Sequence, residues 1–536
     1  MSIFFGPVQA NRKTFLICLI ATFIWGLIAH AYGYFSGAFS HDSLNEFNAA
    51  VFGNDWKIQL GRVLVPLFRT IFSGVLTMPW LIGLLSLLFI GLSVFLTTKI
   101  FKVQSKIVII VIAGVFTANN TVTSTTATYI NDLDSNMMAL LLSVLAVWLW
   151  LKLKWGFLIG IIPVAFSMGL YQGYVSMTIT LVMIYLILEL LNSEDFKTVL
   201  IKGLKAIVMI IGGGVLYIIL IKVVTSVTGV ALLSGNYNSV DIFTTYSLSD
   251  YIYNAYSTWI SSIYDLLVPT SFYPKNLIII INIFIILIGA YFAVRKWVHI
   301  KWKEKILTAI LIFLLPIGMN IAAVLSGISD EVIMQYAIWM TYLFVILLVV
   351  PSLKETGRSL IFKKKDEDQQ SVSKERAKIN IRSGLSVISV CLICVILYSN
   401  VQVANAAYLK KDMEATATLS LFTRIVYEME EVDGYVCGET PVVFAGDASA
   451  QIDETEEFES ISVMTGMERK SSASPESSYY QAYFDYVLMD SAVMADEDTW
   501  DEIIASDFVA DMPCYPETGS IQLVDGVLVV KLSESD

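Results

Sequence analysis

From residue 14 to residue 403 the chain runs through one apolar segment after another, and this repetition limits what it can fold into. Crossing the ~30 Å hydrocarbon core takes ~20 apolar residues at 1.5 Å each. Segments 14–34, 76–98, 174–192, 206–225, 277–294, 306–325, 335–352 and 384–403 meet or approach that length. Three shorter runs, 107–118, 137–151 and 156–170, qualify where protein surrounds them. The reading is an α-helical polytopic membrane protein of about eleven spans. Composition agrees, with 56% hydrophobic residues and a mean hydropathy of +0.68. The apolar run after Arg12 and Lys13 is too long for a cleaved signal and lacks a small-residue cleavage site, so it reads as a signal anchor.

Lysine and arginine set the expected orientation. With the N-terminus in the cytoplasm, 24 bases fall on inside segments, nine of them between Lys354 and Arg382. The outside loops before the tail hold only Lys57, Arg62, Arg69 and Lys275, with Lys222 near a span end. The segment 363–376 reads as a solvated cytoplasmic linker. The C-terminal tail is then extracytoplasmic.

The net charge of −12 conceals two unlike parts. Residues 1–403 carry 29 bases and 19 acids; residues 404–536 carry 6 bases and 28 acids. A transmembrane domain is thus joined to an acidic extracytoplasmic domain, and such a tail disfavours nucleic acid as a partner. In the tail, 406–431 reads as a helix continuing the last span. Pro441 to Gly446 reads as a strand, and 521–530 as a β-hairpin turning at Asp525-Gly526, so the tail is a small α/β domain. Cys18, Cys391 and Cys394 lie in apolar segments, where cysteine behaves as a small hydrophobe. Cys437 and Cys514, alone in the tail, are expected to pair as a disulfide outside the cytoplasm.

Chemistry-bearing residues gather in loops 36–74, 119–136 and 226–275 on one predicted face. The first holds His41, Asp42, Glu46, Lys57, Arg62 and Arg69; the second ends with Asp132 and Asp134; the third is rich in tyrosine, from Tyr237 to Tyr273. The stretch from Trp56 to Phe72 suits a helix lying in the interface, its arginines reaching to headgroup depth. Arginine binds a phosphate leaving group. A carboxylate deprotonates an acceptor hydroxyl, and aromatic faces stack on sugar rings. Carboxylates beside cations at a bilayer edge therefore point to glycosyl transfer from a polyprenyl-phosphate sugar. Asp42, Glu46 and Asp132 are the candidate catalytic acids. Arg62, Arg69 and Lys57 are the candidate phosphate binders, and His41, Asp134, Tyr171 and Gln172 the candidate substrate contacts. Asp132 and Asp134 also suit Mg²⁺ or Mn²⁺, which the reaction does not require. His30, His41 and His299 are too scattered for a zinc site.

Several short motifs, in order and on one membrane side, carry a resemblance. They are Ser40-His41-Asp42-Ser43-Leu44, Ile58-Gln59-Leu60-Gly61-Arg62 with Pro66 beyond, Tyr129-Ile130-Asn131-Asp132 and Gly169-Leu170-Tyr171-Gln172. The chain resembles the GtrII-type membrane glucosyltransferases. The tail is similar to that of Gram-positive members through Cys437-Gly438, Pro441-Val442, Met512-Pro513-Cys514-Tyr515-Pro516 and Gly519-Ser520-Ile521. The resemblance implies a GT-C-like architecture. It also implies transfer of glucose from undecaprenyl-phosphate glucose to a surface glycan outside the cytoplasm, with an acid in the first outer loop central to catalysis. That position maps onto Asp42. Relatives carry adjacent acids there, whereas this chain has His41-Asp42, which leaves Glu46 or Asp132 as the candidate second acid. The competing reading is a transporter or flippase of lipid-linked sugar, which would bury charges near the bilayer midplane. Charges gathered on one face favour surface chemistry. A surface-sensing or adhesion protein ranks last, because an anchor needs far fewer spans.

Overall fold

The computed structural model describes residues 8–234, 246–327, 331–361, 369–453, 456–462, 464, 466–473 and 476–534. The body is helical. Its elements are α1 (Val8–Phe35), the short α2 (His41–Asn45), α3 (Asn54–Gln59) and α4 (Val65–Ile71), then α5 (Pro79–Ile100), α6 (Lys106–Thr117), α7 (Asn120–Thr128) and α8 (Leu133–Lys152). There follow α9 (Ile161–Leu170), α10 (Val175–Leu191), α11 (Phe196–Thr228), α12 (Leu248–Leu267), α13 (Lys275–Trp297), α14 (Trp302–Met319), α15 (Met340–Ile361) and α16 (Gln369–Glu430).

All eleven expected apolar segments are helical. Among the described residues, seven helices are long and apolar enough to cross a bilayer, or eight if α6 and α7 form one broken span. The difference from eleven lies in the short segments, Gly156–Leu170 and Tyr336–Val350, and in α14, whose first turn carries Lys303, Glu304 and Lys305. The chain is a multi-pass helical protein. Its core is formed where α5 packs on α8 and α1, and where α9 packs on α11.

The polar stretch 119–136 is not an open loop. α7 is a buried helix, bent 42° from α6. Asn119 makes the break: its side-chain oxygen caps α7 at the Val122 N–H, and its amide donates to the Val115 and Phe116 carbonyls of α6. Asn400 donates to the Ala118 carbonyl at 2.9 Å, and the Tyr336 hydroxyl to Phe116. Backbone groups freed at a break inside a bundle must find such partners. The threonines of α7 bond back one turn, Thr125 to Thr121 and Thr126 to Val122, which lets a polar helix lie buried.

The basic turns meet at one end of the bundle, where Lys296 reaches Asn192 and Lys99 reaches Asn11. Loops 36–78 and 129–132 lie at the other end, together with the tail. α16 runs without interruption from the last apolar segment into that tail, and Gln369–Arg376 is helix where a linker was expected; 362–368 lie outside the described residues. The tail holds a four-stranded sheet in the order β2-β1-β4-β3, from β1 (Pro441–Ala445), β2 (Val493–Met494), β3 (Ile521–Val524) and β4 (Val527–Lys531). The expected hairpin is present, with Val524 opposite Val527 and both Asp525 and Gly526 at positive φ.

The expected disulfide is absent. Cys437 and Cys514 are free thiols, beside Asp490 and Glu534 respectively. Cys437 precedes the start of β1. Cys514 adjoins Tyr515, whose N–H bonds to Lys531, the partner of Ala445 at the far end of β1. A five-residue strand separates its ends by ~13 Å, beyond the ~7 Å that a bridge can span. Cys18 is buried as expected, while Cys391 lies on the outward face of α16.

The tail docks on the body rather than hanging from it. Leu44 of α2 belongs to the tail's core, and Phe47 packs on Tyr486. At Gly466, φ is +74° and a Cβ would lie 2.2 Å from Thr128 Cγ2, so only glycine permits this approach to the end of α7. Gly466→Ala should therefore lower stability by ~1–3 kcal/mol. Thermal unfolding of the detergent-solubilised protein and faster proteolytic release of the tail would register this; unchanged values would show that the contact is loose.

Candidate active site

Ser40 opens the site. Its hydroxyl accepts the Ser43 N–H, which caps α2, and donates to the Thr128 carbonyl. Ser43 donates to the same carbonyl at 2.7 Å and accepts from the Ile130 N–H. The first loop is thereby stitched to the end of α7. Asp132 follows in a 3₁₀ turn before α8, and α3, the turn after it and α4 carry Lys57, Arg62 and Arg69 respectively across from it.

These residues form a buried ion cluster. Lys57 Nζ lies 2.6 Å from Glu46 Oε1 and 2.7 Å from Asp132 Oδ2. Arg69 Nη2 lies 3.0 Å from Glu46 Oε2 and 3.2 Å from Asp132 Oδ1. Asn131 Nδ2 donates to Glu46 Oε2 at 2.6 Å. Arg62 Nη1 reaches Asp132 Oδ2 at 3.0 Å and lies over the Tyr171 ring, 4.5 Å from its centroid. Three cations thus face two carboxylates. The surplus charge resides where water can reach it: the Arg62 side chain is 17% exposed, against 3% for Lys57 and 5% for Arg69. The expectation that Arg62 and Arg69 reach outward to headgroups from one interfacial helix is therefore corrected. The stretch is two short helices, and its cations turn inward to buried carboxylates. Gly53 leaves room for this approach: a Cβ there would sit 3.0 Å from Arg69 Nη1 and 3.2 Å from Glu46 Oε2.

Asp42 differs from the other acids. Its side chain is 27% exposed, and its contacts are His41 Nε2 at 3.3 Å and the Tyr479 hydroxyl at 3.4 Å. Burial pushes the Asp42 carboxyl above its ordinary value, opposed by the charges of Lys57 and Arg469 and by the Tyr479 hydrogen bond. Burial, then Arg469 and Lys411, pushes His41 down to about 3, so it is neutral at pH 7. Asp42, Glu46, Lys57, Arg62, Asp132, His41 and Tyr171 all line one cavity of about 370 Å³.

Other expected site residues lie elsewhere. Asp134 is fully buried behind the cluster, its Oδ1 accepting the Ser135 N–H. Gln172 braces the 60s loop, donating to the Leu60 carbonyl and the Tyr217 hydroxyl. The 226–275 aromatics do not supply the cavity's rings: Tyr253, Tyr256 and Tyr264 of α12 face outward, and Tyr237 lies outside the described residues. Trp56, Tyr129, Tyr171 and Tyr479 supply them instead. Asp132 and Asp134 do not fit a Mg²⁺ or Mn²⁺ site, because three cations already meet Asp132 and Asp134 turns away. Among the described residues no three or more His, Cys, Asp or Glu side chains converge closely enough to hold a metal ion. Glu331 and the tail's Glu468, Arg469, Glu476 and Tyr479 also line the cavity. No sequence motif marks the four tail residues.

The glucosyl transferase GtrII family model matches residues 31–350, more than half of the chain. The chain belongs to the GtrII family. Membership makes it a glucosyltransferase, and the match contains every body residue of the cavity while ending before the tail. No curated protein and no solved structure matches the chain.

In this GtrII protein the buried cluster is expected to bear on stability far more than Asp42. Lys57→Met should cost about 3–5 kcal/mol, since it leaves Glu46 and Asp132 buried with one cation fewer. Asp42→Asn should stay within about 0.5 kcal/mol of the parent. Thermal melts of the two purified variants separate these expectations.

Proposed function

We propose that the protein transfers a glucosyl residue from undecaprenyl-phosphate glucose to a hydroxyl of a cell-surface glycan, at the outer face of the membrane. The observation that carries this reading is one cavity holding a carboxylate that meets no lysine or arginine among the described residues, Asp42, and the surplus cation of a buried cluster, Arg62. A base and an anion holder in one cavity are what displacement of a phosphate by an alcohol requires.

In this reaction the acceptor oxygen attacks the anomeric carbon of the donor sugar. Asp42 takes the hydroxyl proton as the new C–O bond forms. The anomeric C–O bond to phosphate breaks, and the polyprenyl phosphate leaves with the electron pair, its charge held by Arg62. The Tyr171 ring keeps the guanidinium in place. Glu46 and Asp132 hold Lys57 and Arg69 and are not the base. The outer-face placement rests on the Lys- and Arg-rich turns lying at the opposite end of the bundle. A reporter fused after residue 403 should be active only outside the cytoplasm; cytoplasmic activity would overturn the orientation.

Radiolabelled undecaprenyl-phosphate glucose incubated with the purified protein and cell-wall glycan should yield labelled glycan. Asp42→Asn should lower the rate ~10²–10⁴-fold with donor binding little changed. Because the Asp42 pKa is raised, the rate should fall with falling pH at values above the ordinary carboxylate range of ~3.9. The Asn variant should lose that limb. Arg62→Lys keeps the charge but loses the planar fork, so the donor KM should rise. Transfer at the parent rate by Asp42→Asn would remove Asp42 as base.

A further inference from the structure

The cavity has a wall outside the family match. Glu468, Arg469, Glu476 and Tyr479, all from the tail, line the same space as Asp42 and Arg62. We propose that the C-terminal domain forms the acceptor half of the site, with Tyr479 positioning Asp42 and with Glu468 and Glu476 receiving the hydroxyls of a saccharide. The inference rests on the glucosyltransferase reading and deepens it by assigning the acceptor side.

Three observations carry it. The first is contact with the base. The helix Ser477–Tyr483 packs on α2, the Tyr479 hydroxyl donates to Asp42 Oδ1 at 3.4 Å, and its ring lies 5.7 Å from that of His41. A tail residue therefore fixes one oxygen of Asp42 while leaving the other toward His41.

The second is rigidity. Lys411, itself paired with Glu414, donates to the Arg469 carbonyl at 2.7 Å, and Ser472 donates to the Phe39 carbonyl at 3.0 Å. Together with the close approach of Gly466 to Thr128, these contacts hold the 466–473 segment against α16 and the body. Side chains on a backbone held this way can present a defined set of acceptors.

The third is charge. The Arg62 side of the cavity offers the cation that a phosphate needs. The tail side brings two carboxylates and one cation, Arg469, into the cavity that Asp42 and Glu331 also line, so negative charge exceeds positive there. A phosphate would be repelled there. Sugar hydroxyls donate well to carboxylates, so the two walls sort an anionic donor from a hydroxyl-rich acceptor.

The groups facing Asp42 are His41 on α2, Lys57 on α3, Tyr129 and Asp132 before α8, and Arg469 and Tyr479 from the tail. Tyr479→Phe removes one hydroxyl that favours ionised Asp42. It should lower kcat about tenfold and move the acid limb of the pH–rate profile to higher pH, a change that loosened packing alone would not produce. Glu468→Gln with Glu476→Gln should weaken acceptor binding about tenfold or more and leave the donor KM unchanged.

The full-length protein in nanodiscs serves for both readouts. Binding of purified cell-wall glycan is measured without donor, so the tail wall is tested even where no glucose is transferred. Weakened glycan binding in the double variant, at an unchanged melting temperature, supports the proposal. Parent-like glycan binding in the double variant, or a donor KM that rises as much as the acceptor's, overturns it. Tail-dependent glycan binding without transfer by the parent protein supports the wall and counts against the donor reading alone.

Discussion

Two carboxylates and three cations taken from water beneath the first loop are the constraint on which the rest depends. Removing such ions from water costs several kcal/mol each, and only dense pairing returns it. Glu46 receives Lys57, Arg69 and Asn131, and Asp132 receives Lys57, Arg62 and Arg69. No single element could supply this set. α2, α3 and α4 must fold back over the turn before α8, and the Ser40 and Ser43 bonds to Thr128 hold them there. The loop between the first two long helices thus becomes a fixed wall, and a cavity can form against it.

How far this was legible follows from which interactions are local. Helix and hairpin positions were, because apolar run length and an Asp-Gly turn act over a few residues. The motifs around Asp42, Arg62, Asp132 and Tyr171 did mark one cavity. The sequence could not say which cations would be consumed. Lys57, Arg62 and Arg69 look alike in a loop, and only their exposure and the number of carboxylates each meets separate a structural ion pair from a ligand-facing one. Tyr479 was invisible for the same reason: it lies 437 residues from Asp42, and no local pattern marks it.

Two misreadings share another cause. Threonine-rich 120–128 looked like solvated loop, yet side-chain bonds to the preceding turn make it a buried helix. The tyrosines of 248–267 looked like sugar-stacking residues, yet they lie on the outward face of an amphipathic helix, where interfacial aromatics are favoured. Residue type alone does not reveal whether a polar group finds its partner within its own helix, or which way an aromatic faces.

The charge arithmetic of the cluster bears on turnover in the proposed reaction. One surplus cation suffices to hold a phosphate as its bond to sugar breaks. Neutralising Glu46 or Asp132 would raise the surplus to two, and the same site would then hold the departed polyprenyl phosphate more tightly. Binding the product better than the transition state slows the cycle. In the proposed reaction the buried carboxylates would then do more than stabilise the loop: they would hold the attraction at Arg62 to a level from which a leaving phosphate can depart.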